Sequence, residues 1–454
     1  MHTKDQLFKV IKLSTKKAKE VLNFTAKKAY SKNITLNDLH HPQNALDLHQ
    51  WRSKIDSVLG TLTTALILYV PFSIGALNPT AEVAAALAAL ISIILILSNV
   101  HKYTQAIPKP IKITMALFAI YFAIGAASYF VFPPAKYSLS NIGTSLHFVL
   151  FTPIIMVMLK HPPQLTWVWL CIIGGAMLSG LHTIYYGSRG TVNPILFGGI
   201  SVLLAFASLM SWSHFKSHTF LRILPILAFI LGLLASFNSL ARGSWLAIPP
   251  LAMALMYYIY IHLDNKKRLV IPLVALSIAL AGTSFVGWVK IEPRVNLAVK
   301  EVQAYFAGES YQTSVGYRLE TYKGALLVLK ENPIYGVGVG HRAEAFANLE
   351  ARGLLRDLSM IYNAHNQIFE DGIDKGLIGI ASYLALMIFL LRHFYQRLPN
   401  SPMDAVGLML IVGFATFGLT NITFTHGTFN TLFIAMVAIA LLPNTTASAL
   451  RARQ

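Results

Sequence analysis

The chain has 454 residues, of which 55% are hydrophobic and only 12% charged, with a mean hydropathy of +0.56 and a formal net charge of +18. Soluble domains average about a quarter charged residues, so the composition excludes an ordinary soluble enzyme and indicates an integral membrane protein. The single cysteine, Cys171, excludes an intramolecular disulfide framework.

The first 54 residues carry 11 of the 37 Lys and Arg and have neither the early apolar core nor the cleavage site of a signal peptide. Leu7, Ile11, Ala18, Leu22 and Ala29 recur at helical spacing with lysines between them, the pattern of a helix lying on anionic lipid. A solvated basic tail is the alternative reading. The positive charge reflects this segment and a topological bias, so no nucleic-acid partner is expected.

Apolar runs of about 20 residues, the length that crosses a bilayer as a helix, follow at roughly 55–77, 81–98, 111–132, 142–159, 166–187, 193–213, 222–240, 243–262, 269–290, 373–392, 403–424 and 427–443. None alternates as a barrel strand does. The expected fold is therefore all-α: a polytopic membrane protein with about 12 transmembrane helices. The chain divides into the basic segment 1–54, spans one to nine over 55–290, a large loop over 291–372, spans ten to twelve over 373–443, and a tail over 444–454.

With both termini cytoplasmic, 24 of the 37 Lys and Arg fall on inner segments, as the positive-inside rule requires. Lys136, Arg189 and Arg242 stand in short outer loops against that rule. The loop after span nine lies on the outer face. Leu319, Tyr322, Leu326 and Leu329 predict a helix over Tyr317 to Lys330, stopped by Asn332-Pro333, and Gly336-Val337-Gly338-Val339-Gly340 reads as a tight turn. A loop of this length with its own helix is expected to be a folded, functional cap.

Ionisable groups are nearly absent at mid-membrane depth. Glu82, Asp374 and Lys375 sit at outer helix starts, so a proton- or ion-coupled pump is poorly equipped. The outer face instead carries arginines. Arg242, in NSLARGSWLA, precedes a span that Ser244 would cap. Guanidinium forks and helix N-termini both bind phosphate; an interfacial, snorkelling arginine is the alternative. Arg189 stands before Asn193-Pro194, a cap and first-turn pair. Arg318 falls in the first turn of the loop helix, where a cation opposes the helix dipole, which suggests an anion nearby. A simple pairing with Glu320 or Glu309 is the other reading. His365 closes the loop beside Asn366, and an imidazole of ordinary pKa, about 6.5, suits a general base. Glu370 could orient it or, with Asp371, mark the water interface.

The sequence has no H-E-x-x-H, no cysteine pair, no D-x-D and no P-loop lysine, so no metal or cofactor is expected.

Together NSLARGSWLA, GYRLETYKGALLVLKENPIYGVGVG and YNAHNQIFEDGIDKGLIGI resemble the O-antigen ligase family, which also includes O-antigen polymerases. By that resemblance Arg242 and Arg318 match the family's two functional arginines and His365 its functional histidine; Arg189 matches less closely, and Asn366, Glu370 and Tyr322 would support them. The resemblance implies an enzyme in the bacterial inner membrane with its active site on the periplasmic face. The donor would be a polysaccharide on undecaprenyl diphosphate and the acceptor a hydroxyl of lipid A core. It further implies a metal-independent, inverting transfer in which the arginines hold the diphosphate and His365 deprotonates the acceptor. A polymerase using the same donor is the nearest alternative. A lipid-linked sugar flippase is a more distant one.

Overall fold

The computed structural model describes residues 42–132, 138–187, 192–217, 220–265, 295–356 and 363–443, with positions 274, 277, 292 and 293. The basic segment up to residue 41, the ninth apolar run, Arg189 and the tail beyond 443 lie outside the described residues. Residues 1–59 and 60–454 form two units. The described part of the first is the start of helix α1 (Pro42–Ser73).

The protein is an all-α polytopic membrane protein; no strand occurs among the described residues. After α1 come α2 (Asn78–Ser98), the short α3 (Val100–Thr104), α4 (Lys109–Val131), α5 (Ser138–Lys160), α6 (Leu165–Tyr186) and α7 (Pro194–Leu209). Then follow α8 (Leu224–Asn238), the single turn α9 (Arg242–Trp245), α10 (Ile248–His262), α11 (Ser314–Glu331), α12 (Arg342–Ala351), α13 (Gln367–Arg397), α14 (Pro402–Gly418) and α15 (Gly427–Leu441). Eight described helical stretches are long and apolar enough to span a bilayer, and α8, α14 and α15 are shorter apolar helices. Proline recurs in the first turn, at Pro79, Pro110, Pro194, Pro225, Pro249 and Pro402. Its missing N–H falls there among groups that have no intrahelical partner anyway.

The core lies between α4, α5, α14 and α15, where Phe118, Phe148, Phe414, Phe424 and Phe433 meet ring to ring. The central α7 is buried along most of its length and packs on α6 and α8.

Between α10 and α13 the described residues include a short helix over 295–306, α11 and α12. The sequence-predicted helix matches α11, and α12 was not foreseen. The glycine run is more than a turn. Helix α13 breaks at Gly376, with φ 62° and ψ −156°. The amides of Leu377 and Ile378 donate to the carbonyls of Pro333 and Ile334 at 2.8 and 3.4 Å, and Val337 N–H donates to Ile373 O at 2.8 Å. Protein groups satisfy this irregular backbone, the condition under which a helix in a membrane protein can break. A Cβ at Gly376 would stand 2.4 Å from the Ile334 carbonyl carbon and oxygen. Gly376→Ala is expected to destabilise the protein by at least about 2 kcal/mol, through backbone strain and this clash. Thermal unfolding in detergent and accumulation in membranes measure the effect; unchanged values for both would contradict the packing described.

Candidate functional site

Arg242 and Arg318 line one cavity of about 150 Å³, together with Leu240, Ala241, Ser314 and Thr420. The chain enters it through Leu240, whose φ of 58° lies in the left-handed region that side chains rarely adopt. Ser244 does not cap the following helix, as its sequence position suggests. Ala241 occupies the cap position, and the buried Ser244 hydroxyl donates to Ala241 O at 2.7 Å. Arg242 Nη2 reaches Ser314 Oγ at 3.5 Å and Glu301 Oε2 at 3.7 Å.

Helix α11 starts at Ser314, three residues before the sequence-predicted start, so Arg318 sits in its second turn and not its first. That helix end is already capped: Thr313 Oγ1 accepts the Gly316 N–H at 3.0 Å, and Glu301 Oε2 accepts the Val315 N–H at 3.2 Å. An anion here would therefore be drawn chiefly by guanidinium groups, not by the helix terminus. Burial and the neighbouring charge of Arg242 hold the Arg318 guanidinium below its ordinary range, while Tyr322 and Glu301 act the other way. Glu320, the alternative partner suggested by sequence, accepts from Tyr305 Oη and Arg356 N–H, both at 2.9 Å, and lies 3.6 Å from Lys323. Two guanidinium groups thus share a half-buried cleft, with the Glu301 carboxylate 3.7 Å from Arg242.

His365 stands beside this cleft. Tyr322 Oη, one turn beyond Arg318, donates to His365 O at 3.3 Å and also lies 3.3 Å from Leu419 O. Asn366 Nδ2 donates to the same Leu419 carbonyl at 3.2 Å, next to Thr420 of the cavity wall. Asn366 also caps α13, its Oδ1 accepting the amides of Ile368 and Phe369 at 2.9 and 3.2 Å. His365 adopts φ 50°, a conformation that costs a non-glycine residue on the order of 1–3 kcal/mol. Its Nδ1 is buried and has no hydrogen-bond partner among the described residues. Burial, then the charges of Arg318, His426 and Arg342, push its pKa down to about 4. The imidazole is accordingly neutral at pH 7, able to accept a proton but weaker as a base than an unperturbed histidine.

Glu370 and Asp371 are not interface charges. Both are nearly inaccessible, at 3% and 1% exposure. Glu370 does not touch the histidine ring; one oxygen accepts the Ala364 N–H at 2.8 Å and the other meets Arg342 at 2.6 Å. Asp371 accepts from Tyr121 at 2.9 Å and Gln367 at 3.0 Å and pairs with Lys375. Arg342 also binds Asp374, both contacts at 3.0 Å. The sequence reading missed Arg342, Glu301 and Thr420. Arg342 carries the signal that singled out Arg318, a cation in the first turn of a helix. Thr420 had none: its Oγ1 is buried without a partner at the cavity wall, a property visible only in three dimensions. Among the described residues no group of three His, Cys, Asp or Glu could hold a metal ion. Arg189 lies outside the described residues, although Asn193 does cap α7, its Oδ1 accepting Ile195 N–H at 2.9 Å.

Residues 227–384, which contain Arg242, Arg318, His365 and Arg342, match the O-antigen ligase family. It is similar to an uncharacterized protein of Haemophilus influenzae, with 24% identity over 275 residues that cover 58% of this chain and 68% of the relative. It is also similar to the O-antigen ligase of Escherichia coli, with 29% identity over 237 residues that cover 50% of this chain and 53% of the relative. The chain thus spans about half the length of the latter. The match of residues 227–384 to the O-antigen ligase family supports a glycosyl-transfer enzyme.

Proposed function

We propose that the protein transfers a polysaccharide from undecaprenyl diphosphate to a sugar hydroxyl of lipid A core, at the periplasmic face of the bacterial inner membrane. The observation that carries this reading is the meeting of two guanidinium groups in one cleft with a neutral, unpartnered imidazole beside them. The name of the Escherichia coli relative favours ligation over polymerisation.

Arg242 and Arg318 would hold the donor diphosphate, and the Thr420 hydroxyl could donate to one of its oxygens. The charge that grows on the diphosphate as the glycosidic bond breaks is then met by fixed cations. His365 takes the proton of the acceptor hydroxyl as its oxygen bonds to the anomeric carbon. Undecaprenyl diphosphate departs with the electron pair of the broken C–O bond. One displacement of this kind inverts the anomeric configuration. The bound diphosphate also offsets the positive charge of Arg318 that weakens the imidazole, so the base strengthens when the donor arrives. Here the guanidinium groups supply the charge stabilisation, with no metal.

Purified, lipid-reconstituted enzyme given defined undecaprenyl-diphosphate glycan and lipid A core is expected to yield glycosylated core in the presence of a chelator. Product only when a second lipid-linked glycan replaces the core would establish a polymerase instead. Loss of activity on chelation would overturn the metal-free assignment.

A further inference from the structure

Arg342 opens α12 and is only 5% exposed, yet its guanidinium is pinned to α13 by Glu370 at 2.6 Å and by Asp374 at 3.0 Å. The second Glu370 oxygen accepts the N–H of Ala364, a fully buried residue immediately before His365. The carbonyl of His365 is held from the other side by Tyr322, and Asn366 is fixed as the cap of α13. The peptide unit that follows the histidine and the one that precedes Ala364 are therefore held by different elements. A non-glycine residue at φ 50° keeps that conformation only where its surroundings over-determine it. Glu370 does so with a carboxylate whose own rotation Arg342 restrains. Asp374 leaves Arg342 one negative partner when Glu370 is neutralised.

We infer that Arg342 and Glu370 are positioning residues that hold His365 in its left-handed conformation, from which the imidazole meets the acceptor hydroxyl. The inference rests on the reading of His365 as the base. Neither Arg342 nor Glu370 lines the cavity of Arg242 and Arg318. Their loss therefore displaces the ring and leaves the diphosphate contacts in place. A misplacement of about 1 Å at a reacting group can cost on the order of 100-fold in rate.

The test is steady-state transfer by the full-length, lipid-reconstituted enzyme with defined donor and acceptor. Glu370→Ala orphans the Ala364 amide and is expected to lower kcat by about 10- to 100-fold with donor KM within about twofold of wild type. Glu370→Gln keeps an oxygen for that amide and leaves Arg342 paired with Asp374, so it is expected to recover kcat to within about threefold. Glu370→Asp keeps the charge balance but withdraws the carboxylate by one methylene. It should show the same split between kcat and KM, and it carries the test where the alanine variant does not accumulate. Wild-type kcat in the Asp variant, equal losses in Ala and Gln, or a rise in donor KM that accounts for the loss would each overturn positioning. His365→Ala is assayed in parallel. Retained activity there faults the base reading itself; an inactive His365→Ala beside a fully active Glu370→Ala faults positioning alone.

Discussion

His365→Ala is expected to lower glycan transfer by about 10²- to 10⁴-fold, the range typical for loss of a general base, while the protein still accumulates in the membrane. The exchange removes a strained residue as well as an imidazole, and alanine tolerates φ 50° no better, so folding stability should change little. The pH dependence separates loss of the base from loss of shape. The free enzyme holds His365 at a pKa of about 4 through burial and the nearby cations. Its neutral, proton-accepting form therefore persists down to that pH, and activity falls as acidity passes through it. With donor bound, the added negative charge raises the pKa. The acid limb of kcat should accordingly lie at higher pH than the acid limb of kcat/KM, because the first reports the complex and the second the free enzyme. Coincident limbs would remove the diphosphate from the neighbourhood of the histidine. Normal lipopolysaccharide in cells carrying His365→Ala would remove His365 from the chemistry.

Arg318→Ala is expected to cost about 10²- to 10³-fold, the usual range for a preorganised charge stabiliser. Among the described residues no carboxylate pairs with Arg318, whereas Arg242 has Glu301 at 3.7 Å. The two arginines should therefore respond differently to repair. Arg318→Lys restores charge but not the planar fork that grips two phosphate oxygens, so it recovers little activity. Arg242→Ala leaves Glu301 facing the diphosphate as a repelling charge. Adding Glu301→Gln to it removes that charge and still accepts the Val315 amide. The double variant should then outperform Arg242→Ala by about tenfold, a coupling in the range of neighbouring charged groups. Rates of the two singles and the double in the reconstituted assay decide this; simple additivity would place Glu301 away from the bound diphosphate.

The membrane class and most of the apolar helices were legible because spans announce themselves by length and composition, without reference to what they touch. The sequence singled out Arg242 and Arg318 for the opposite reason, as cations set against a local preference, and His365 because it closes the loop beside Asn366. Tertiary contacts were not. Glu370 and Asp371 read either as partners of the histidine or as interface charges, because carboxylates at the head of a span ordinarily meet water, and only the approach of Arg342 and Lys375 makes their burial tolerable. The start of α13 was placed several residues late for the same reason, since its first turns carry polar groups that a hydropathy pattern assigns to a loop. The depressed pKa of His365 follows first from burial and then from Arg318, His426 and Arg342, all brought to it by the tertiary fold, so no local pattern signals it.

The break at Gly376 bears on how substrate enters. Backbone bonds from Pro333, Ile334 and Val337 fasten the far end of α11 to the middle of α13, and Arg342 fastens α12 to the same helix. Arg318 and the chain leading out of His365 are consequently tied to the same helices. On the other wall, Arg242 reaches this side through side-chain contacts at 3.5 and 3.7 Å to Ser314 and Glu301. The weak seam of the cleft runs between those two sides, so a bulky lipid-linked glycan would enter by parting Arg242 from Glu301. The leaving-group cation Arg318 and the base would stay on one side of that seam.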